Sequence, residues 1–182
     1  MTHGIDAFKM DLSAFARSSG RAASGDLLLK YERLAKETQG LEANSLVNWT
    51  ARGELRAASG GTDQIWLHVT AAASVVLTCQ RCLLPLQTDL QVTRSFRFVA
   101  NEALAEAQDE TSEEDVLALQ RDFDLRGLIE DELLMDIPIV PRHDVCPVPV
   151  KLAAADADFE QLSAPTDRPF DVLAKLRLNK PG

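Results

Sequence analysis

The chain has 182 residues, of which 46% are hydrophobic, 26% charged and 5% aromatic, and its formal net charge at pH 7 is −9. This composition indicates a globular protein with an aliphatic core and argues against an intrinsically disordered chain. No apolar run reaches the roughly 18 residues that cross a bilayer, and the first residues lack a secretory pattern, so we expect a cytoplasmic protein without membrane attachment.

The charge is unevenly distributed along the sequence. Residues 101–115 contain seven acids and no Lys or Arg, and so account for seven of the nine net negative charges, whereas residues 168–182 contain four basic residues and one acid. This pattern predicts a nearly neutral body with an acidic loop and a basic tail, in which Lys175, Arg177 and Lys180 are candidate binding residues. A basic protein partner fits this field at least as well as direct contact with nucleic acid.

The first elements are short. Residues 1–24 show little pattern and are predicted to be a loosely ordered N-terminal segment. Residues 27–29 then predict a short strand, and residues 31–37 a helix with Leu34 on its inner side. A single domain is expected over residues 25–146.

Three long alternating segments follow. Residues 46–56, 65–78 and 86–99 alternate apolar and polar side chains, and residues 58–63 have the composition of a hairpin turn. Sequential strands with short links predict an antiparallel sheet with one wet face. We expect that face to expose four side chains, His68, Thr70, Arg94 and Arg97, and we expect Trp49 and Trp66 to pack in or near the core.

The remainder of the chain mixes helices and loops. Residues 101–115 are predicted to be a solvated loop or a frayed helix, and residues 116–119 a short strand. Asp124 is a candidate N-cap for a helix that ends near Asp136, before two prolines. Residues 147–182 are predicted to be a linker and a short docking segment.

These patterns together predict an α+β fold. The sheet would contain three long antiparallel strands plus shorter ones, packed with two or three helices and followed by a proline-rich C-terminal extension.

Cysteines provide the one local motif with chemistry. Cys79 and Cys82 form a Cys-x-x-Cys pair, and His143 and Cys146 repeat the spacing about sixty residues later. The four residues would make a Cys₃His zinc site if the two halves meet in space. From the sequence alone the favoured interpretation is a tight hairpin with reduced cysteines and no cofactor, in which His143 is exposed in a proline-rich loop. The zinc site and a thiol redox protein are the alternatives. The redox alternative is the less favoured because the pair lies between strands instead of at a helix N-terminus.

Catalytic motifs are absent from the sequence. It contains no Gly-rich phosphate loop and no Gly-x-Ser-x-Gly motif, and its three histidines are scattered. Glu130, Asp131 and Glu132 are consecutive on a predicted helix, so they point in different directions and are interpreted as a solvated helix flank. We therefore expect a protein that is not an enzyme.

The order of motifs resembles that of a known family. Cys79-Gln80-Arg81-Cys82 is followed by segments 123–125, 129–134 and 137–143, and last by 169–176, whose sequences are FDL, IEDELL, IPIVPRH and PFDVLAKL. This combination resembles the YceD family, the large ribosomal RNA subunit accumulation proteins of bacteria and plastids. The resemblance is closest over residues 75–146 and 168–178.

The resemblance implies a non-enzymatic role in accumulating or processing large-subunit ribosomal RNA, and so in assembling that subunit. The implied partners are this RNA or its precursor, contacted directly or indirectly, and a basic ribosomal protein. The alternative is a zinc-stabilised RNA-binding or scaffold module. Many family members have further cysteines where this chain has His143 and Cys146, so the chain departs from that pattern by offering one histidine and one cysteine.

Overall fold

The computed structural model describes residues 9–38, 45–57, 61 and 63–150. The chain divides after Val148, and the description concerns the first unit. Within the described residues a 3₁₀ turn covers Leu28–Lys30, and the regular elements are α1 (Leu12–Arg17), β1 (Arg21–Leu27), α2 (Glu32–Glu37), β2 (Leu46–Arg56), β3 (Gln64–Thr78), β4 (Pro85–Val99), α3 (Glu102–Asp109), β5 (Asp115–Ala118) and α4 (Leu125–Met135).

One sheet with the strand order β1-β2-β3-β4-β5 organises these elements. The first four strands pair antiparallel in sequence order, and β5 pairs parallel to β4. A parallel neighbour requires a crossover connection, which α3 supplies. The predicted α+β fold with three long strands is confirmed, whereas the parallel edge strand makes the sheet mixed instead of purely antiparallel.

The inner face of the sheet carries the hydrophobic core. Alternate residues of β2, β3 and β4 are buried there against α1, α2 and α4, as the period-two pattern predicts. Trp49 is among them, and its indole nitrogen donates to Asp26 at 2.8 Å. The buried side chains from the strands are Val47, Trp49, Ala51, Leu67, Val69, Ala71, Ala73, Val75, Leu77, Leu90, Val92, Phe96 and Phe98.

The N-terminal helix lies against β2 because Gly53 has no side chain. A Cβ atom at Gly53 would lie 2.9 Å from the Cα of Ala16, which is too close for real contacts, and the backbone N–H of Gly53 donates to Gly20 at 2.9 Å. Neither α1 nor β1 was predicted, since both are short and most β1 side chains are exposed. Residues 27–29, predicted as a strand, instead end β1 and enter the 3₁₀ turn.

Helix α4 is positioned as the sequence predicts, but its acidic flank is not solvated. The side chain of Asp124 accepts the N–H of Gly127 as the N-cap. Glu130 and Glu132 are buried, which corrects the interpretation as a solvated flank. Glu130 accepts the backbone N–H groups of Arg33 and Leu34 at 2.7 and 3.1 Å and so caps α2. Burial raises the pKa of Glu132 despite the attraction of nearby Arg94.

The outer face is the wet face that the sequence predicts. It carries the other set of alternate strand residues, which includes Thr50, Arg52, His68 and Thr70. Two of the four side chains expected on it as exposed groups are elsewhere or covered. Arg94 lies on the inner-face register and forms ion pairs with Asp115 and Glu132. Arg97 lies on the outer face, as predicted, but its side chain is covered and the residue is only 8% exposed. The alternation of apolar and polar residues could not predict that Arg97 is buried, because the groups that cover it come from a later segment of the chain.

The acidic segment 101–115 is partly structured and supplies that cover. Of the two predicted alternatives, the helix is present as α3, capped by Asn101. The guanidinium of Arg97 donates to Glu114 (2.7 Å), Gln108 (2.6 Å) and Ser112 (2.8 Å). Four acids remain exposed and without a hydrogen bond or ion pair to the described residues, namely Glu102, Glu106, Glu110 and Glu113.

Several predictions lie outside the described residues. These are most of the hairpin turn 58–63, the C-terminal docking segment and the candidate binding residues Lys175, Arg177 and Lys180. Among the residues that the structure describes, no helix has both the length and the apolar character needed to cross a bilayer.

Candidate metal centre

The first half of the site is the tight turn between β3 and β4. The backbone N–H of Cys79 donates to Leu84 at 2.9 Å, and the N–H of Leu83 donates back to Cys79 at 2.9 Å. Leu83 adopts a φ of 61°, the left-handed region that turns the chain sharply after Cys82. This turn brings the two sulfur atoms of the Cys-x-x-Cys pair to the same side.

The second half is the segment after α4, which runs back beside the hairpin. It has no regular secondary structure in residues 137–150, and a backbone bond from Gln80 N–H to the carbonyl of Pro141, 2.8 Å long, fixes it to the turn. The N–H of His143 also donates to the sulfur of Cys79 at 3.4 Å. These contacts join residues more than sixty positions apart in sequence.

The two halves form a compact cluster of four ligand atoms. One ligand atom from each of Cys79, Cys82, His143 and Cys146 lies within 4.8 Å of every other. In a tetrahedral zinc site the sulfur atoms are about 3.8 Å apart, given Zn–S bonds of about 2.3 Å. The cluster therefore requires movements of no more than about 1 Å to reach that geometry.

The orientation of His143 matches that of a metal ligand. Its Nδ1 lies 3.4 Å from the sulfur of Cys82, while its Nε2 lies 3.2 Å from the carbonyl of Pro85. A proton on Nε2, donated to this carbonyl, leaves the lone pair of Nδ1 directed at the cysteines. Metal-bound histidines are oriented by this kind of second hydrogen bond.

The surroundings favour a thiolate at Cys79. Burial raises the pKa of its thiol, but hydrogen bonds from the backbone of Cys82, His143 and Arg81 outweigh that effect and lower the pKa to about 5. For Cys146, burial and the neighbouring cysteines raise the pKa. A sulfur that accepts several N–H groups is suited to the negative charge that a metal ligand carries.

Three sulfur atoms and one imidazole nitrogen form a donor set for a soft or borderline cation. Zn²⁺ is commonly bound by Cys₃His sets in structural sites, whereas Mg²⁺ and Ca²⁺ prefer oxygen. Four protein ligands leave no open position for substrate, so such a centre would stabilise structure instead of performing catalysis.

The predicted ligands are thus brought together, whereas the carbonyls of Pro85 and Pro141, which position His143, have no signal in the sequence.

Comparison with known proteins places this geometry in a family. Residues 67–177, which include all four candidate ligands, match the model of the family described as "Large ribosomal RNA subunit accumulation protein YceD". A relative of the same name from Haemophilus influenzae is 34% identical over 105 residues, which are 57% of this chain and 60% of the relative's length. No solved structure matches the chain. Because the family model covers more than half of the sequence and includes most of β3, all of β4, β5 and α4, and the cysteine cluster, the chain belongs to the YceD family of large ribosomal RNA subunit accumulation proteins.

Proposed function

We propose that this protein is a non-enzymatic, cytoplasmic factor that promotes accumulation of large-subunit ribosomal RNA and assembly of the large subunit. The observation that carries the proposal is the family match over residues 67–177. The donor set at the cysteine cluster agrees with it, because a closed centre suits a structural role.

A basic ribosomal protein is the partner that we propose for α3 and the turn after it. The four unpaired carboxylates of segment 101–115 face solvent, while Asp109, Glu114 and Asp115 bond to the protein itself. The segment is therefore held on the sheet with its remaining negative charge directed outward. Such a field attracts a basic partner and increases the rate of encounter.

Depletion of the protein in its own host tests the function. We expect the ratio of large-subunit to small-subunit ribosomal RNA to fall by about half or more, with precursor particles appearing in sucrose gradients. Expression of the intact chain should restore the ratio. An unchanged ratio and an unchanged gradient profile in depleted cells would remove the proposed function.

The zinc proposal has its own test in the purified protein. We expect about one equivalent of zinc, since a single four-ligand site is proposed. The His143→Ala and Cys82→Ser variants should lose most of it, whereas His143→Cys should retain it because a fourth thiolate replaces the imidazole. Arg81→Ala, which alters the same turn without removing a ligand, is the matched control. Zinc below a tenth of an equivalent in a folded wild-type protein would contradict the proposal.

A further inference from the structure

The outer face carries a row of basic side chains, two arginines and a histidine, that crosses three strands. Arg21 of β1 is the register partner of Arg52 of β2, which is in turn the partner of His68 of β3 and then Ser95 of β4. We call these four residues the arginine row. Like charges directly opposite one another on neighbouring strands destabilise a sheet, so the pairing of Arg21 with Arg52 is unfavourable unless a negative group offsets it.

A second row beside it presents hydroxyl groups. Thr50, Thr70 and Thr93 are register partners on β2, β3 and β4, two positions along from the arginine row. Thr50 and Thr70, together with Arg21, Arg52 and His68, line a shallow groove of about 570 Å³, and Thr93 lies beyond it on β4. The groove therefore offers guanidinium groups and hydroxyls beside the small side chains of Ala22, Ala23 and Ala51.

A single carboxylate lies among these cations. Glu54 is 2.8 Å from Arg52, 2.6 Å from Arg56 and 3.0 Å from His68. It is the only acid on the outer-face positions of β1, β2 and β3 within the described residues. The side chain of Arg21 is exposed and has no hydrogen bond or ion pair to the described residues. The patch is thus positive in a chain whose net charge is −9.

Protection of a sheet edge does not explain the row. Edge strands commonly carry a charged residue that prevents pairing with another chain, and Arg21 on β1 would be enough for that purpose. Arg52 and His68 lie on β2 and β3, which have neighbours on both sides. Their positions instead suit a ligand that bridges several strands.

We propose that the arginine row binds the phosphodiester backbone of single-stranded RNA. Guanidinium groups are suited to phosphate oxygens, which they bind through paired N–H donors, and the threonine hydroxyls can donate further hydrogen bonds. The choice of RNA among polyanions rests on the proposed function. Arg94 and Arg97, which were also expected to be exposed on this face, are not part of the site, because Arg94 lies on the inner-face register and Arg97 is buried.

Fluorescence anisotropy with the full chain and a labelled single-stranded RNA of about twenty nucleotides tests the proposal. The Arg21→Gln/Arg52→Gln variant should bind at least about tenfold more weakly at low salt, and its slope of log K against log salt should be smaller by about 1.4. The control Lys36→Gln/Arg121→Gln removes two exposed charges elsewhere, and its binding should stay within about twofold of wild type. Circular dichroism checks that both variants are folded.

A gain-of-function variant excludes misfolding as the cause. Glu54→Gln removes the acid that competes for the cations, so RNA should bind severalfold more tightly, whereas Glu37→Gln on α2 should have little effect. The triple variant Lys175→Gln/Arg177→Gln/Lys180→Gln measures the C-terminal basic residues separately.

The proposal would be overturned if the wild type did not bind RNA at low salt, or if the two double variants lost affinity equally. It would also be overturned if the two glutamate variants had equal affinities, or if only the triple variant lost binding completely. Undiminished RNA binding by Arg21→Gln/Arg52→Gln, with loss of a co-purifying protein, would assign the face to a protein partner and equally overturn it. Normal ribosomal RNA in depleted cells would remove the proposed function and leave this binding measurement unaffected.

Discussion

Glu130 shows how one buried carboxylate joins two helices. It accepts the first free N–H groups of α2 and the Nε–H of Arg33, while Tyr31 at the N-cap position provides no side-chain bond. Glu130→Ala would leave these donors without a partner, so we expect a loss of about 2–3 kcal/mol of unfolding free energy. Urea unfolding followed by circular dichroism measures this loss.

Two further variants distinguish the capping of α2 by Glu130 from the effect of its negative charge. Asp131→Ala removes a neighbouring carboxylate whose ion pair with Arg33 is exposed, so its effect should stay below about 1 kcal/mol. Glu130→Gln keeps an acceptor oxygen and should fall between the two. Equal losses for Glu130→Ala and Asp131→Ala would contradict the capping role.

At the scale of elements, the structures that could be predicted are those that depend on residues close together in the sequence. The long strands and α4 could be predicted because their side chains alternate or repeat locally, and the N-cap Asp124 lies next to its helix. The role of Glu130 could not, because its partner Arg33 is 97 positions away. The cysteine motifs were visible for the same local reason, but only the folded chain shows that Cys79 and His143 meet.

The exposed elements were harder to predict. Helix α1 has six residues, and β1 buries none of its side chains fully, so neither leaves a clear pattern in the sequence. The parallel direction of β5 depends on α3, which packs on the sheet through a bond network centred on Arg97 rather than through an apolar stripe. Binary patterning carries no information about such a polar contact.

Arg97 should therefore control the order of the acidic segment. Arg97→Met removes three hydrogen bonds from a buried guanidinium, and we expect cleavage by a glutamate-specific protease within residues 101–115 to accelerate about tenfold or more. Arg94→Met also removes one arginine, but Arg94 is 44% exposed, so its effect on this cleavage should be small. Similar cleavage rates in both variants would show that Arg97 does not hold the segment.

At the scale of the whole molecule, the cysteine cluster connects two parts of the chain that share few other bonds. In the sequence, β4, α3, β5 and α4 lie between the two halves of the cluster. The hydrogen bond from Gln80 to Pro141 is the main backbone contact that joins these halves. A bound metal would thus act as a cross-link that closes a loop of about sixty residues. Cross-links of this length stabilise small domains by a few kcal/mol.

Removal of the metal should consequently loosen one region and leave the rest folded. With a strong chelator, amide exchange should accelerate in residues 136–146 and in the turn 79–84, whereas β2 and β3 stay protected by the inner-face core. The melting temperature should fall by several degrees and recover on addition of Zn²⁺ but not Mg²⁺, since the donors are sulfur and nitrogen. His143→Ala should reproduce the chelated state without chelator, and His143→Cys should resemble the metal-loaded protein. If chelation changed neither the exchange of these segments nor the melting temperature, the metal would not be the element that fixes the segment after α4 to the sheet.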